Sequence, residues 1–154
     1  MRLEELIKQD RFATASERAM LNIMATSSWV VSQLTSTMGE FGVTPAQYNV
    51  LRILQGKDPA LMTCSDVGSR LLDRTPDVTR LLNRLEAAGH VVRKRAAQDR
   101  RIVEVGITET GRELLSTMHP HVEAVHATLA RHLTEADLNL LNDTLDQYRR
   151  DQTD

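Results

Sequence analysis

Residues 75–107, TPDVTRLLNRLEAAGHVVRKRAAQDRRIVEVGI, hold the change of sequence period that decides the fold. Up to Gly89 the apolar residues recur every three or four positions, which is typical of an amphipathic helix. Beyond Gly89, segments 91–95 and 102–107 are rich in β-branched residues, and Val103, Val105 and Ile107 alternate onto one face. The polar stretch 96–101 between them suits a hairpin tip. The sequence therefore predicts a helix that leads directly into a β-hairpin.

A second short helix is predicted just before this one. Thr63 can cap a helix over residues 64–72, because its hydroxyl can accept a free backbone N–H at the helix start. After the polar turn Asp73-Arg74, Thr75-Pro76 is predicted to start the helix that runs to Ala88. Two short helices joined by a tight turn are typical of a helix-turn-helix.

Long helices are predicted on both sides of this region. Their starts carry capping residues, whose side chains can bind the free N–H groups of a first turn, at Thr14, Thr44, Thr108 and Thr134. Pro120 is expected to kink the helix that follows Thr108, because proline lacks a backbone donor. We therefore predict a mainly α fold with a small β-hairpin and long N- and C-terminal helices.

The composition is that of an ordinary globular domain. Of 154 residues, 41% are hydrophobic and 26% are charged, which suits one compact unit and argues against disorder. No apolar run approaches the ~18 residues of a membrane helix, and residues 1–10 lack the apolar centre of a signal peptide. The lone Cys64 cannot form an internal disulfide. We expect a cytoplasmic protein with no membrane partner.

The charge is unevenly distributed along the chain. The net charge is −2, but residues 70–101 contain nine basic and four acidic residues, a balance of +5, so the remainder carries −7. Such polarity is expected of an anion-binding face on an acidic body. A charge run by itself, however, is more often solvated surface.

The polar side of the 76–88 helix carries residue types that read DNA. On a helical wheel Thr79, Arg80, Asn83 and Ala87 fall opposite the apolar side, with Asp77 and Arg84 at the border. Arginine can donate two hydrogen bonds to guanine, asparagine can pair with adenine, and threonine can contact a thymine methyl or a phosphate. The alternative is an ordinary amphipathic helix with a solvated polar side.

The basic hairpin favours the DNA interpretation. It follows the helix directly, which would place Arg93, Lys94, Arg95 and Arg100 beside the same duplex. An arginine at a hairpin tip can enter the narrow, electronegative minor groove. Asp99 can hold a neighbouring guanidinium in a fixed direction through a charge-assisted pair. The hairpin is therefore interpreted as a wing.

Four segments together resemble the MarR-type winged-helix regulators in order and spacing. They are TPAQYNVL at 44–51, VTRLLNRLEAAG at 78–89, DRR at 99–101 and ITETG at 107–111. The resemblance implies a helix from Pro76 that reads the major groove, and an Arg101 that enters the minor groove with Asp99 orienting it. Within one unit of residues 1–154, it also implies a DNA-binding lobe at 44–108 and dimerisation helices at 1–42 and 109–154. His90 departs from the family pattern, in which an apolar residue stands there.

Dimerisation is also expected from the residues themselves. The N-terminal helix and the last two helices present apolar stripes longer than one small lobe can cover, and exposed stripes of that size mark an interface. A two-fold homodimer would place two recognition helices roughly 34 Å apart, so we expect a pseudo-palindromic operator. The alternative is a monomeric bundle. The predicted function is a sequence-specific transcriptional regulator, acting as a repressor that a ligand releases.

The family pattern also implies a small apolar or aromatic effector between the lobe and the dimerisation helices. The residues predicted to line its pocket are Met24, Trp29, Tyr48 and Arg52. Trp29 and Tyr48 stand out because the chain is only 3% aromatic. Core packing is the competing account for each of these side chains.

Cys64 and four histidines raise the alternative of a redox- or metal-responsive regulator. A thiol near a helix start can sense oxidants, but Cys64 is interpreted as a small structural residue. The histidines, His119, His121, His126 and His132, lack the three- or four-residue spacing of helical metal sites. We interpret them as solvated or interface residues and predict neither a bound metal nor a cofactor.

The sequence contains no recognisable catalytic constellation. It lacks a Gly-rich phosphate loop, a G-x-S-x-G elbow and an H-E-x-x-H zinc helix, so we predict that the protein is not an enzyme. A dimeric interaction module that does not bind DNA is the remaining alternative. Such a module would not need Arg80, Asn83 and Arg101 in these positions.

Overall fold

The described chain consists of seven helices and a small three-stranded sheet. In a computed structural model, the described residues are 1–72, 77–96 and 98–150, and none of their helices is both long and apolar enough to cross a membrane. The elements in chain order are α1 (Leu3–Ile7), α2 (Ala15–Gly39), α3 (Pro45–Gln55), β1 (Met62–Thr63), α4 (Cys64–Gly68), α5 (Val78–Ala87), β2 (Val91–Arg95), β3 (Val103–Ile107), α6 (Glu109–Ala130) and α7 (Glu135–Tyr148). The predicted mainly α fold with a β-hairpin wing is confirmed.

Side-chain caps fix where the long helices begin. At α3, Thr44 accepts the N–H of Gln47, and the Gln47 side chain accepts the N–H of Thr44, which closes a capping box. At α2, Thr14 accepts the N–H of Glu17, but the Glu17 carboxylate accepts from Ala13, one residue before the cap. Both arrangements satisfy donors that a helix start would otherwise leave without a partner.

The sheet is antiparallel, with strand order β1-β3-β2. β2 and β3 form the predicted hairpin, in which Val91 pairs with Ile107. β1 lies on the other side of β3 and pairs Met62 with Val105. The sequence did not predict β1, because a strand of two residues shows no period of its own.

The first helix of the helix-turn-helix is shorter than predicted. α4 begins after the Thr63 cap, as expected, but it ends at Gly68 and not at Leu72. From Arg70 the backbone hydrogen bonds span three residues instead of four, so the chain tightens into turns. Gly68 favours the end of the helix at this position, because glycine stabilises a helix poorly.

The second helix of the helix-turn-helix begins later than predicted. α5 starts at Val78 and its N-cap is Asp77, so the predicted start at Thr75-Pro76 is wrong. The Asp77 carboxylate accepts the first-turn N–H of Arg80, which fixes the helix start at this residue. The predicted Asp73-Arg74 turn, Thr75 and Pro76 lie outside the described residues.

The lobe from α3 to β3 encloses its own apolar core. Its most deeply buried residues are Val50, Leu51, Leu54, Val67, Leu82, Leu85 and Val105. A smaller core, formed by Met38, Val43, Met118 and Val122, holds α2 against α6, which runs through Pro120. The lobe core fixes the rotation of α5, because Leu82 and Leu85 both belong to it.

The terminal helices are covered far less. Within the described chain α7 has no buried residue, and its Leu140 and Leu141 are 67% and 46% exposed. On α2, Met24 and Trp29 are 60% and 49% exposed. A single copy of the chain therefore leaves a large apolar surface on its long helices in water.

Candidate nucleic-acid interface

α5 presents a polar side to solvent while its apolar side is fixed in the core. Leu82 and Leu85 are buried. On the opposite side Thr79, Arg80, Asn83, Arg84 and Ala87 are exposed. A helix whose rotation is set by a packed core presents its outer side chains in defined directions, as base reading requires. The predicted reading side of the helix is therefore accessible to a ligand.

Asp77 has a structural task at the start of this helix. Its Oδ1 accepts the backbone N–H of Arg80 at 3.0 Å. A carboxylate here is also favoured by the positive end of the helix dipole. The sequence assigned Asp77 and Pro76 to DNA contact; the structure shows Asp77 as the cap, and Pro76 lies outside the described residues.

The wing tip is shaped by Asp99. Ala96 donates its N–H to the carbonyl of Ile102, which closes the hairpin, and Asp99 Oδ1 accepts the N–H of Arg101 at 2.9 Å. Aspartate often stabilises turns by such a bond to a backbone N–H two residues on. Among the described residues, the Asp99 carboxylate therefore contacts the main chain of Arg101 and not the predicted guanidinium. The Arg101 side chain is exposed.

The other basic residues of the wing fall into two groups. Lys94, Arg95 and Arg100 are exposed. Arg95 Nη1 also donates to the carbonyl of Arg100 across the hairpin at 3.1 Å. Arg93 Nη2 donates to the carbonyl of Thr79 on α5 at 3.3 Å. The structure thus makes Lys94, Arg95 and Arg100 accessible to a ligand, whereas Arg93 is half-buried against α5.

The end of α5 is bonded to the start of α6. Gly89 follows α5 with φ of +77°, a left-handed conformation that glycine adopts without strain. Its carbonyl accepts the hydroxyls of Thr108 at 2.7 Å and Thr110 at 3.1 Å. Gly111 lies so close to the His90 carbonyl that a Cβ there would collide with it. We call these contacts between residues 89–90 and the start of α6 the joint. Sequence reasoning missed the joint, because it interpreted the segment ITETG only as a helix start.

Two of the four predicted pocket residues contact each other. Arg52 Nη1 donates to the Tyr48 hydroxyl at 3.4 Å on α3. Met24 and Trp29 lie on α2, where about half of each side chain is exposed. A cavity of about 320 Å³ between α3 and α6 is lined by Arg52, Gln55, Leu115, Ser116 and His119. The structure therefore places Arg52 at this cavity, but its lining does not include Met24, Trp29 or Tyr48.

Cys64 and two of the four histidines, His121 and His132, make contacts typical of structural residues. Cys64 is half-buried against the lobe core. His121 packs edge-on against Phe41 with 5.0 Å between ring centroids, and His132 Nε2 accepts from Arg131. Across residues 1–72, 77–96 and 98–150, no group of three or more His, Cys, Asp or Glu side chains could hold a metal ion.

Comparisons with known proteins point to one family. The model of the MarR family matches residues 41–102, from just after α2 into the wing. The crystal structure of a MarR transcription factor from Planctomyces limnophilus is 30% identical, covers 89% of this chain and 99% of that chain, and has a TM-score of 0.70.

Two further relatives are a curated protein and a DNA complex. The HTH-type transcriptional regulator YkoM of Bacillus subtilis is 33% identical over 53% of this chain, which spans about half (51%) of YkoM. A mutant MarR from E. coli, solved in complex with operator DNA, is 25% identical over 82% of this chain and 89% of that chain, with a TM-score of 0.72. These relatives are transcriptional regulators, in agreement with the prediction that the protein is not an enzyme. The chain therefore belongs to the MarR family of winged helix-turn-helix transcriptional regulators.

Proposed function

We propose that this chain binds double-stranded DNA sequence-specifically, with α5 in the major groove and the wing in the adjacent minor groove. The observation that carries the proposal is the exposed polar side of α5 beside an exposed basic wing. Both belong to the segment with a balance of +5, which favours contact with phosphates. The similarity to a MarR protein solved with operator DNA supports the same assignment.

The side chains divide into three roles. Arg80 and Asn83 contact base edges, for which guanine and adenine are the matching bases. Thr79 and Arg84 contact bases or phosphates at the sides of α5. Arg101 enters the minor groove from the wing tip, and Lys94, Arg95 and Arg100 contact the DNA backbone.

The proposal includes a homodimer formed by residues 1–42 and 109–154. It is supported by the apolar side chains that one copy leaves exposed on α2 and α7, among them Met24, Trp29, Leu140 and Leu141. A second copy would cover these surfaces and place two copies of α5 roughly 34 Å apart, one helical turn of DNA.

We also propose that the protein is a repressor that releases its operator when an aromatic carboxylate binds. Arg52 supports this, since it lines a cavity between the lobe and α6 and can pair with a carboxylate. Tyr48, bonded to Arg52, can pack against an aromatic ring. A ligand in this cavity would contact both α3 and α6, so it could change the position of the lobe relative to α6.

DNA binding is tested by selecting target sites from a random duplex pool and measuring affinity by fluorescence anisotropy over a salt series. We expect competitor-resistant binding that weakens steeply with salt. Arg80→Ala and Arg101→Ala should each weaken binding about tenfold or more, since a base contact contributes roughly 1–3 kcal/mol. Lys57→Ala is the control, because Lys57 is exposed in the loop after α3, outside α5, the wing and the proposed dimer segments. A folded dimer that selects no site would instead be an interaction module.

The effector is tested with a panel of phenolic acids. An acid that binds the proposed pocket should weaken operator binding by the wild-type protein and raise its thermal midpoint. It should do neither with Arg52→Gln, whose side chain is polar but shorter and uncharged. Unchanged DNA affinity and thermal stability across the panel would contradict this part of the proposal.

A further inference from the structure

The side chain of Arg93 turns back from the wing towards α5. Arg93 is the third residue of β2, and its Nη2 donates to the Thr79 carbonyl at 3.3 Å. Its Nε lies 3.6 Å from Glu86 Oε2 and is shielded from solvent without a hydrogen-bond partner. The Arg93 side chain is only 21% exposed, whereas the next residue, Lys94, lies exposed. The guanidinium therefore lies against the recognition helix and is not directed into solvent.

Helix geometry explains why one guanidinium reaches two residues that are seven apart. Residues separated by two turns share a helix face. Helix carbonyls point towards the C-terminus, while side chains lean towards the N-terminus. The Thr79 carbonyl and the Glu86 carboxylate therefore approach the same point from opposite directions. A branched, planar donor such as arginine can contact both at once.

We propose that Arg93 is a positioning residue. It holds the wing at a fixed angle to α5, so that the wing can lie in the minor groove while α5 lies in the adjacent major groove. This inference rests on the proposed DNA-binding function. It replaces the expectation from sequence that Arg93 contacts the DNA backbone. Glu86 shares this positioning role, because its carboxylate is the charged partner of the Arg93 guanidinium.

The position of Arg93 along β2 makes such a contact useful. The backbone joins the wing to α5 only at its base, through Ala88, Gly89 and His90. Arg93 adds a contact farther out along the strand. A wing that is held in place before binding loses less conformational freedom when the minor groove is occupied. Loss of this contact should therefore weaken recognition of the flanking minor groove and leave contacts made by α5 intact.

The first test measures binding to the selected site and to a version whose flanking A·T pairs are replaced by G·C pairs. Arg93→Lys retains the charge but cannot bridge both partners, and Glu86→Gln removes the carboxylate. Both should weaken binding to the selected site about tenfold, the order expected for a hydrogen bond to a charged group. Both should also reduce the preference for A·T flanks and leave the salt slope unchanged. Equal thermal midpoints will show that the variants fold as the wild type does.

Lys94→Gln is the matched control on the same strand. A phosphate contact is expected to weaken binding to both duplexes alike and to lower the salt slope by about one when it is removed. If Arg93 were also a phosphate contact, Arg93→Lys would bind nearly as well as the wild type. Glu86→Gln would then bind more tightly, because it removes a negative charge beside the DNA. That pair of results overturns the positioning role while leaving the proposed function intact.

A second test does not depend on DNA binding. Spin labels at Ala87→Cys on α5 and Arg100→Cys at the wing tip, in a Cys64→Ser background, report the distance between the two elements. Dilution with unlabelled protein removes distances between subunits. We expect a narrow distribution that Glu86→Gln broadens and Lys94→Gln does not. An unchanged distribution in Glu86→Gln would overturn the inference, whether or not the wild-type protein binds DNA.

Discussion

α5 and α7 are both amphipathic, but only α5 has its apolar side covered. Leu82 and Leu85 of α5 are buried in the lobe core. In the described chain α7 buries no residue, and Leu140 and Leu141 remain exposed. Burial of a leucine side chain contributes roughly 1.5–3 kcal/mol, which α7 can gain only from a second surface. The lobe is therefore stabilised within one chain, whereas the terminal helices keep an exposed apolar surface that the proposed homodimer would cover.

The largest effect is expected inside the lobe core. Leu82→Ala should lower the free energy of unfolding by about 3 kcal/mol, because it removes buried methyl groups and leaves a cavity. Leu72→Ala is the control, since Leu72 is 94% exposed, and it should change stability by less than about 0.5 kcal/mol. Urea unfolding at one protein concentration measures both. Equal losses would mean that the lobe core is not packed as described.

The joint between the lobe and α6 should be the next most sensitive point. Gly111→Ala places a Cβ against the His90 carbonyl and near Ile107, so the backbone must move. We expect a loss of about 1–3 kcal/mol, as for overpacking in a core. Gly39→Ala provides the comparison, because a Cβ there meets no atom within 4 Å. A Gly111→Ala protein as stable as Gly39→Ala would show that the joint is loose.

The terminal helices should respond in association and not in the folding of the lobe. Leu141→Asp puts a charge on the exposed apolar side of α7 and should raise the dimer dissociation constant at least about tenfold, equivalent to 1.4 kcal/mol. Sedimentation over a range of concentrations measures this constant. Asn139→Asp adds the same charge on another side of α7 and should leave it unchanged. A Leu141→Asp protein that remains dimeric would place the interface elsewhere.

The smallest expected effect concerns pH and the start of α7. Hydrogen bonds from the Thr134 hydroxyl and backbone N–H lower the pKa of Asp137 below its ordinary value of 3.8. Because the pKa is lower in the folded state, the ionised carboxylate adds stability above about pH 4, and this contribution is lost as the pH falls below that value. The difference in thermal midpoint between the wild type and Asp137→Asn should therefore shrink below about pH 4. A difference that stays constant down to pH 2 would contradict the assignment.

Local signals in the sequence predicted the elements whose causes are local. Helix period and capping residues predicted α3 and the polar side of α5, and alternation predicted the hairpin. Thr44 and Gln47 close their box because both partners lie within four residues of each other. Membership of the MarR family followed from the order of four such segments.

Contacts that depend on the folded arrangement could not be predicted in this way. The two residues of β1 become a strand only because β3 lies beside them. Arg93 was predicted to face DNA because its charge suits phosphates, but its target, Thr79, is set by the angle between the wing and α5. The bond from Asp99 to the backbone of Arg101 likewise depends on the exact turn at the wing tip.

Footprinting with dimethyl sulfate on the selected duplex tests the central claim most directly, because the reagent reports guanine N7 in the major groove and adenine N3 in the minor groove. The account predicts two groups of protected guanines about one helical turn apart, each flanked by protected adenines. Arg101→Ala should remove the adenine protection and retain that of the guanines. A single protected group, or protection confined to the minor groove, would contradict a dimer that reads DNA with two copies of α5.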